Sequence, residues 1–546
     1  MNATAIDYQI MWSRLIAVVE EQATTLIRTA FSTSVREAGD LSAGLFDLSG
    51  RMMAQAVTGT PGHVNAMAES VGHFIREIGR QNIFEGDVFL TNDPWLGTGH
   101  LHDFTVVTPS FRAGRLIGFF ACTAHVVDIG GRGFGPDGND VYEEGLQVPI
   151  MKFAERGVVS DILVRIIRNN VRAPDLVIGD LYALSSCNMA GDRRLQEMLD
   201  EFGLADMEAL AEYIIESSRR ATHESIARVP DGIYRNTMRV DGYDTPVDMA
   251  VTLTISGDNL TADFTGTSGM SRFGVNVPEV YTRAYACYAL KCAIAAEVPN
   301  NFGSLEPFVI TAPDGCILAA RRPAPVSTRH VIGHLVPDVV LGALHQALPD
   351  TVPAEGSSAL WNIQISARPS DGNGKSAELL MFNSGGTGAR PELDGLSATA
   401  FPSGVKTMSI EAMEQIGPIV IWRKELREGS GGAGRFRGGL GQVIEIEALE
   451  GHDLHFNAMF DRIDHAARGR NGGLPGAPGS VALSNGTKLK GKGRQSVQRG
   501  QRLILKLPGG GGYGEPNLRQ REKILGDISA EYITADQAKQ DYGFTD

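Results

Sequence analysis

The chain has 546 residues, of which 42% are hydrophobic, enough to bury more than one core; at roughly 150 residues per domain it holds about three or four units. Its 50 basic and 64 acidic residues give a formal charge of −14, so there is no cationic footprint for a phosphate backbone and nucleic acid is not an expected partner. The N-terminus has neither a basic leader nor an apolar stretch after it, and no segment holds eighteen consecutive apolar residues, so a cytoplasmic setting without membrane contact is expected.

In chain order, Ile10, Trp12, Leu15, Ile16, Val19, Leu26, Ile27 and Phe31 recur at helical spacing and predict a helix over residues 8–35, with Asp7 as its cap. A second helical stretch is expected over 63–78. Next comes Asn92-Asp93-Pro94-Trp95-Leu96-Gly97-Thr98-Gly99-His100-Leu101-His102-Asp103, then apolar runs over 104–111 and 116–127 around Arg112-Ala113-Gly114-Arg115. Two apolar runs flanking a glycine-bearing link predict a β-hairpin. Centred between Ala113 and Gly114, its paired positions sum to about 227, which sets His125 opposite His102 and beside Asp103.

Cross-strand neighbours lie about 5 Å apart, and Gly97 and Gly99 bend the approach so that His100 and Asp103 can share a direction despite strand alternation. His100, Asp103 and His125 then fit a divalent metal site. The same spacing also fits a hydrogen-bonded core histidine next to a capping aspartate. Spacing alone leaves both readings open.

A largely helical segment over 175–228 follows, and the turn cluster Val229-Pro230-Asp231-Gly232 separates it from strands at 238–240, 247–255 and 260–264. Helices are expected over 278–296 and 326–347. Beyond about residue 356, glycine-rich loops between short apolar runs such as 443–448 and 503–507 predict a β-rich region. The expected fold is α+β and multidomain: a helix-rich part at 1–228 carrying the hairpin, a mixed region at 229–355 and a glycine-rich β domain at 356–546.

Five scattered cysteines without a Cys-x-x-Cys pair argue against a disulfide framework or a cysteine zinc site, and Cys122 reads as a core residue facing away from His125. Pro369-Ser370-Asp371-Gly372-Asn373-Gly374-Lys375-Ser376 ends like a phosphate loop but lacks its first glycine, so no ATP site is expected there. Residues 430–441 carry Arg435 and Arg437 among glycines and read as turns or as an anion cradle; 509–514 reads as a close-packing turn. His63 reads as a polar group lining the metal cleft or as an exposed helix-start residue, and His330, His334 and His345 read as structural.

Over these residues the chain resembles the hydantoinase B/oxoprolinase family. The resemblance rests on Asn92-Asp93-Pro94, His100-Leu101, Asp103, Ala124-His125 and Asp128-Ile129-Gly130-Gly131. It continues through Glu144-Gly145-Leu146, Asp263-Phe264-Thr265-Gly266-Thr267-Ser268, Gly385-Gly386-Thr387-Gly388-Ala389-Arg390 and the glycine runs at 430–439 and 509–514, so it covers nearly the whole chain. It departs from the family pattern at Gly97-Thr98-Gly99 and at His102.

The resemblance implies metal ligands at Asp40, His100, Asp103 and His125, a set suited to one Zn²⁺ or Mn²⁺, with His63 and Asp128 as supporting catalytic candidates. It implies a partner, a hydantoinase A-type protein with an actin-like ATPase fold, which uses Mg-ATP to phosphorylate the carbonyl oxygen of a small cyclic amide. This chain would complete ring opening within a hetero-oligomer such as a heterotetramer. Two alternatives stand beside it: the metal-bearing subunit of an ATP-dependent ketone carboxylase, and a non-catalytic scaffold for the ATPase.

Overall fold

The computed structural model describes residues 4–545 except 359 and 375. The N-terminal part is built on a seven-stranded antiparallel sheet in the order Met52–Gln55, Leu41–Phe46, Arg115–His125, Asp103–Arg112, Val88–Thr91, Met151–Glu155, Val158–Val159. Helices Ala5–Thr29 and Pro174–Phe202 cover one face and Pro61–Ile78 covers the other. Buried on both sides, the central strands are apolar almost throughout instead of alternating.

The first helix ends earlier than its periodicity suggests: it runs Ala5–Thr29, and a separate turn, Thr33–Arg36, follows. Its cap is Thr4, and Asp7 sits three residues inside, bonding back to the Thr4 amide in a reciprocal capping box. The expected helix at 175–228 is two helices, Pro174–Phe202 and Glu208–Ile226, broken at left-handed Gly203. The expected 326–347 helix likewise divides into His330–Gly333 and Val336–Leu344.

The hairpin forms with its turn where the sequence puts it, since Ala113 and Gly114 both have positive φ, as a two-residue turn matching the strand twist requires. The register is not uniform. Arg112 pairs with Arg115 and Phe111 with Leu116, but Ser110 pairs with Gly118, so Ile117 is the extra residue of a bulge. Beyond it every pair moves by one, and Asp103, not His102, lies directly opposite His125.

The rest of the chain forms three four-stranded sheets. Gly232–Val240, Val247–Ser256, Asn259–Asp263 and Phe308–Thr311 make the first, and helices Glu279–Ile294 and Val336–Leu344 pack nearby. Trp361–Pro369, Ala377–Asn383, His452–Met459 and Lys492–Val497 make the second; Ile419–Leu426, Gln442–Ala448, Ser480–Leu483 and Leu503–Lys506 make the third. One apolar core joins Val251, Val339, Ile363, Phe456 and Leu505 across all three sheets. The fold is α+β, as expected.

Glycines let the C-terminal loops cross backbone against backbone. A Cβ on Gly386 would lie 1.8 Å from the Gly439 carbonyl oxygen, and one on Gly510 would lie 1.9 Å from that of Thr387. The 509–514 run is therefore a close-packing segment. Arg437 is buried and tied to Asp527 at 3.3 Å, and Pro369–Ser376 spans the link of a hairpin, with Lys375 outside the described residues. No helix is long and apolar enough to cross a membrane among the described residues.

Candidate metal centre

The open end of the hairpin, the start of strand Leu41–Phe46 and the first turn of helix Pro61–Ile78 meet at one point. Asp103 opens its strand and His125 closes the partner strand; the His125 amide donates to the Asp40 carbonyl at 3.3 Å, which places Asp40 next in the same row. His63 enters from the helix, and His100 comes from the loop whose Gly99 has φ +100°.

His100, Asp103 and His125 are all buried, and each offers a donor atom within 4.8 Å of the others. Asp103 Oδ1 lies 2.7 Å from His100 Nε2 and 3.2 Å from His125 Nδ1; its Oδ2 meets His63 Nε2 at 3.0 Å and Arg329 Nη2 at 2.6 Å. Thr98 adds a hydroxyl donor to Oδ2 at 2.5 Å. Burial by itself would raise the Asp103 pKa, but His100, His63 and Arg329 hold it well below the usual carboxylate range.

The tautomer of His100 shows what the cluster is suited to hold. Its Nδ1 is 2.8 Å from the Ser327 carbonyl, which only accepts, so the ring proton sits on Nδ1. Burial, followed by the charge of Arg329, lowers the His100 pKa to about 3, so Nε2 carries a lone pair. That lone pair faces a carboxylate oxygen at 2.7 Å, and Nε2 has no hydrogen-bond partner; His125 Nε2 has none either. Two electron-rich atoms so close are mutually repulsive unless a cation lies between them. The residues present therefore fit a divalent ion, with the second nitrogen of His100 held by a carbonyl as metal-bound histidines usually are.

The cavity here is small, about 30 Å³, and Asp40 and His63 line it with the histidines. Asp40 lies outside the tight trio, with its Oδ1 3.5 Å from His63 Nδ1. His63 is buried and spans both aspartates; burial would lower its pKa, but Asp103 and Asp40 outweigh this and raise it. It is thus a cleft residue and not an exposed helix-start histidine. Asp128 is elsewhere: it accepts from the Gly130 amide at 3.1 Å and pairs with Arg172 at 2.6 Å, across Phe134 from the cavity.

Several cavity residues were not singled out from the sequence or were read as structural. Arg329, on a segment more than 200 residues away in the chain, bonds Asp103 and the Thr98 carbonyl (2.6 Å each) under the ring of Tyr281. A Cβ on Gly99 would come within 2.5 Å of the Arg329 side chain, so glycine is what admits the guanidinium. His330 and His334 line the cavity with one ring nitrogen each unpaired, and His334 bonds Tyr281 at 3.1 Å. His345 lies apart, against Asn471. Cys122 faces helix Pro174–Phe202, its Sγ 3.2 Å from the Leu184 carbonyl, away from His125 as expected.

His102 is buried with both nitrogens unpaired, and it stacks on His125 at 5.2 Å between centroids without lining the cavity. Replacing Asp103 with Ala is expected to lower metal content strongly, whereas His102→Ala keeps it near the wild-type level. Inductively coupled plasma mass spectrometry on both variants decides this, and equal loss would show that the wrong face of the strand had been assigned.

A buried His/Asp/His trio at the end of a hairpin, on an α+β fold covered by helices, defines a protein class with a candidate metal-holding centre. The hydantoinase B/oxoprolinase family model matches residues 4–516, and the chain belongs to that family. It is 30% identical to the B component of a putative D-/L-hydantoinase from a Pseudomonas species, across 99% of this chain and 95% of that one. Its structure resembles ATP-dependent caprolactamase from Pseudomonas jessenii with a TM-score of 0.90 at 26% identity, covering 100% and 96% of the two chains. Nucleotide-free acetone carboxylase shares the fold, with a TM-score of 0.89 at 20% identity over 98% of this chain and 79% of that one.

Proposed function

We propose that this chain is the metal-bearing hydrolytic subunit of an ATP-dependent cyclic-amide hydrolase. The observation that carries the reading is the neutral His100 lone pair facing the Asp103 carboxylate at 2.7 Å, an arrangement suited to a cation. His100, Asp103 and His125 would hold one Zn²⁺ or Mn²⁺, with Asp40 completing the set from the adjoining row. Such an ion, when bound, supplies Lewis-acid activation of water at neutral pH.

The chain's own groups perform the remaining tasks. Arg329, fixed by Asp103 and the Thr98 carbonyl, brings a permanent positive charge to the cavity wall. His63, spanning Asp40 and Asp103, is placed to hold a proton at the cavity edge for the leaving nitrogen. Phe134, Phe382 and Leu360 restrict bulk water. A larger cavity of about 560 Å³ lies across a wall in which residues alternate sides: Gly39, Gly59 and Gly404 face it, while Asp40, Thr60 and Ser403 face the centre. That volume suits a small cyclic amide.

An amide carbon resists attack because of resonance, so the reading includes a partner of the actin-like ATPase type that phosphorylates the carbonyl oxygen first. By name, two relatives support a multi-chain and ATP-dependent enzyme, one being a single component of a hydantoinase and the other an ATP-dependent caprolactamase; the type of partner is part of the proposal. This chain alone is expected to neither hydrolyse ATP nor open a lactam or hydantoin ring; mixed with the partner and Mg-ATP, it should release phosphate and ring-opened product together. Ring opening by the isolated chain without ATP would sink the division of labour. Ketone carboxylation is the second reading, favoured by the fold shared with acetone carboxylase, and bicarbonate-dependent consumption of a ketone by the same mixture would select it.

A further inference from the structure

Behind Phe134 lies a second pocket, of about 70 Å³, which shares that one side chain with the metal cavity. Four arginines, Arg132, Arg172, Arg368 and Arg494, reach it, together with His455. Its two carboxylates are already engaged: Asp128 binds Arg172 and the Gly130 amide, and Glu378 accepts from the Ser366 and Ser376 hydroxyls. Arg132 pairs with Glu143 at 2.8 Å. The guanidinium groups of Arg368 and Arg494 have no carboxylate partner among the described residues; that of Arg368 makes one bond to Ser366, at 3.2 Å, and the Arg494 amide, not its side chain, donates to Asp137 at 2.8 Å.

The site is built by sheet register. Gln364, Asn457 and Arg494 are paired in one row across three adjacent strands, and Ser366 and His455 form the row two residues on, so all five project from the same face. Gln364 is 7% exposed and donates its Nε2 to Glu378 Oε2 at 3.3 Å, which adds a third donor to that carboxylate. Of the four guanidinium groups, those of Arg132 and Arg172 are paired, which leaves those of Arg368 and Arg494 beside the pocket without a carboxylate, in a chain whose formal charge is −14. The positive field also shows on His455, which burial and then Arg494 and Arg368 hold below its ordinary pKa.

We propose that this pocket is an oxyanion site for a phosphate group, separated from the metal centre only by Phe134. Guanidinium forks converging from separate strands match a tetrahedral dianion, which accepts from several donors at once. The volume admits a phosphate group. Given the ATP-coupled reading above, on which the identity of the natural ligand rests, the phosphate is either the phosphoryl group of the activated amide or the ion released on ring opening.

The test is calorimetric titration of the full-length chain with inorganic phosphate, run metal-loaded and again after chelation, alongside an Arg368→Gln/Arg494→Gln double variant. Both arginines are exposed and outside the metal cavity, so circular dichroism should be unchanged. Saturable 1:1 binding that survives chelation and weakens at least about tenfold in the variant is the expected result. Binding that disappears with the metal, no saturable binding, or equal affinity in the variant would overturn the pocket. The titration contains no ATP, amide or partner protein, so its failure leaves the hydrolytic reading intact, and failure of ring opening leaves the pocket intact. In the reconstituted mixture, phosphate inhibition competitive with the amide assigns the incoming phosphoryl group, and non-competitive inhibition assigns the released ion; inhibition unaltered in the double variant would overturn both.

Discussion

Replacing His125 with Ala should abolish metal retention while leaving the fold in place. His125 ends its strand, with Nδ1 3.2 Å from Asp103 Oδ1 and Nε2 unpaired, so its removal deletes one donor of the trio without breaking a hydrogen bond that the sheet needs. The hairpin keeps its strand pairing from Phe104 with Ala124 to Ser110 with Gly118, including the apolar pairs of Val106 with Cys122 and Val107 with Ala121. Loss of an outer-shell partner alone commonly costs about 10–100-fold in metal affinity, so a direct ligand should cost at least that much. Metal analysis after gel filtration, together with circular dichroism, checks both halves. Full metal content in the variant would remove His125 from the ligand set, and loss of helical signal would show that it is structural.

The second large effect is expected at Arg329. Its side chain is 3% exposed and faces an Asp103 side chain with no exposure at 2.6 Å. Arg329→Ala leaves that carboxylate buried without its permanent counter-charge, a change that typically costs about 3–5 kcal/mol. The chain unfolds from several packed parts, so the useful observable is the shift of the first calorimetric transition and not a single unfolding free energy. A bound cation would replace part of the missing charge, so the destabilisation should be larger in chelated protein than in metal-loaded protein. A variant whose transition is unmoved in both states would show that Asp103 is protonated there or that water reaches it.

Much of this architecture was legible because it follows from local rules. Helical periodicity located Pro61–Ile78 and Glu279–Ile294 to within a few residues, and alternation located Val247–Ser256 and Asn259–Asp263. Helix ends were read less well: the pattern over 8–35 runs through a break at Ala30, where an extended residue stops the helix although apolar spacing continues. The resemblance makes Asp128 a supporting candidate, but its carboxylate meets Arg172 at 2.6 Å and the Gly130 amide at 3.1 Å and does not line the metal cavity.

The sequence by itself determined the hairpin, its turn at Ala113-Gly114 and the convergence of His100, Asp103 and His125, because turn chemistry and strand pairing act over short stretches of chain. Only the tertiary structure decided the final register, since the bulge at Ile117 has no signature in residue type and a single extra residue moves every later pair. Only the tertiary structure, too, brought in Ser327, Arg329, His330 and His334. Those four read as an ordinary helix start because the partners of Ser327 and Arg329 are more than 200 residues away and that of His334 is Tyr281, 53 residues away, and what they do is set by the packing of one part of the chain against another, which no local pattern encodes.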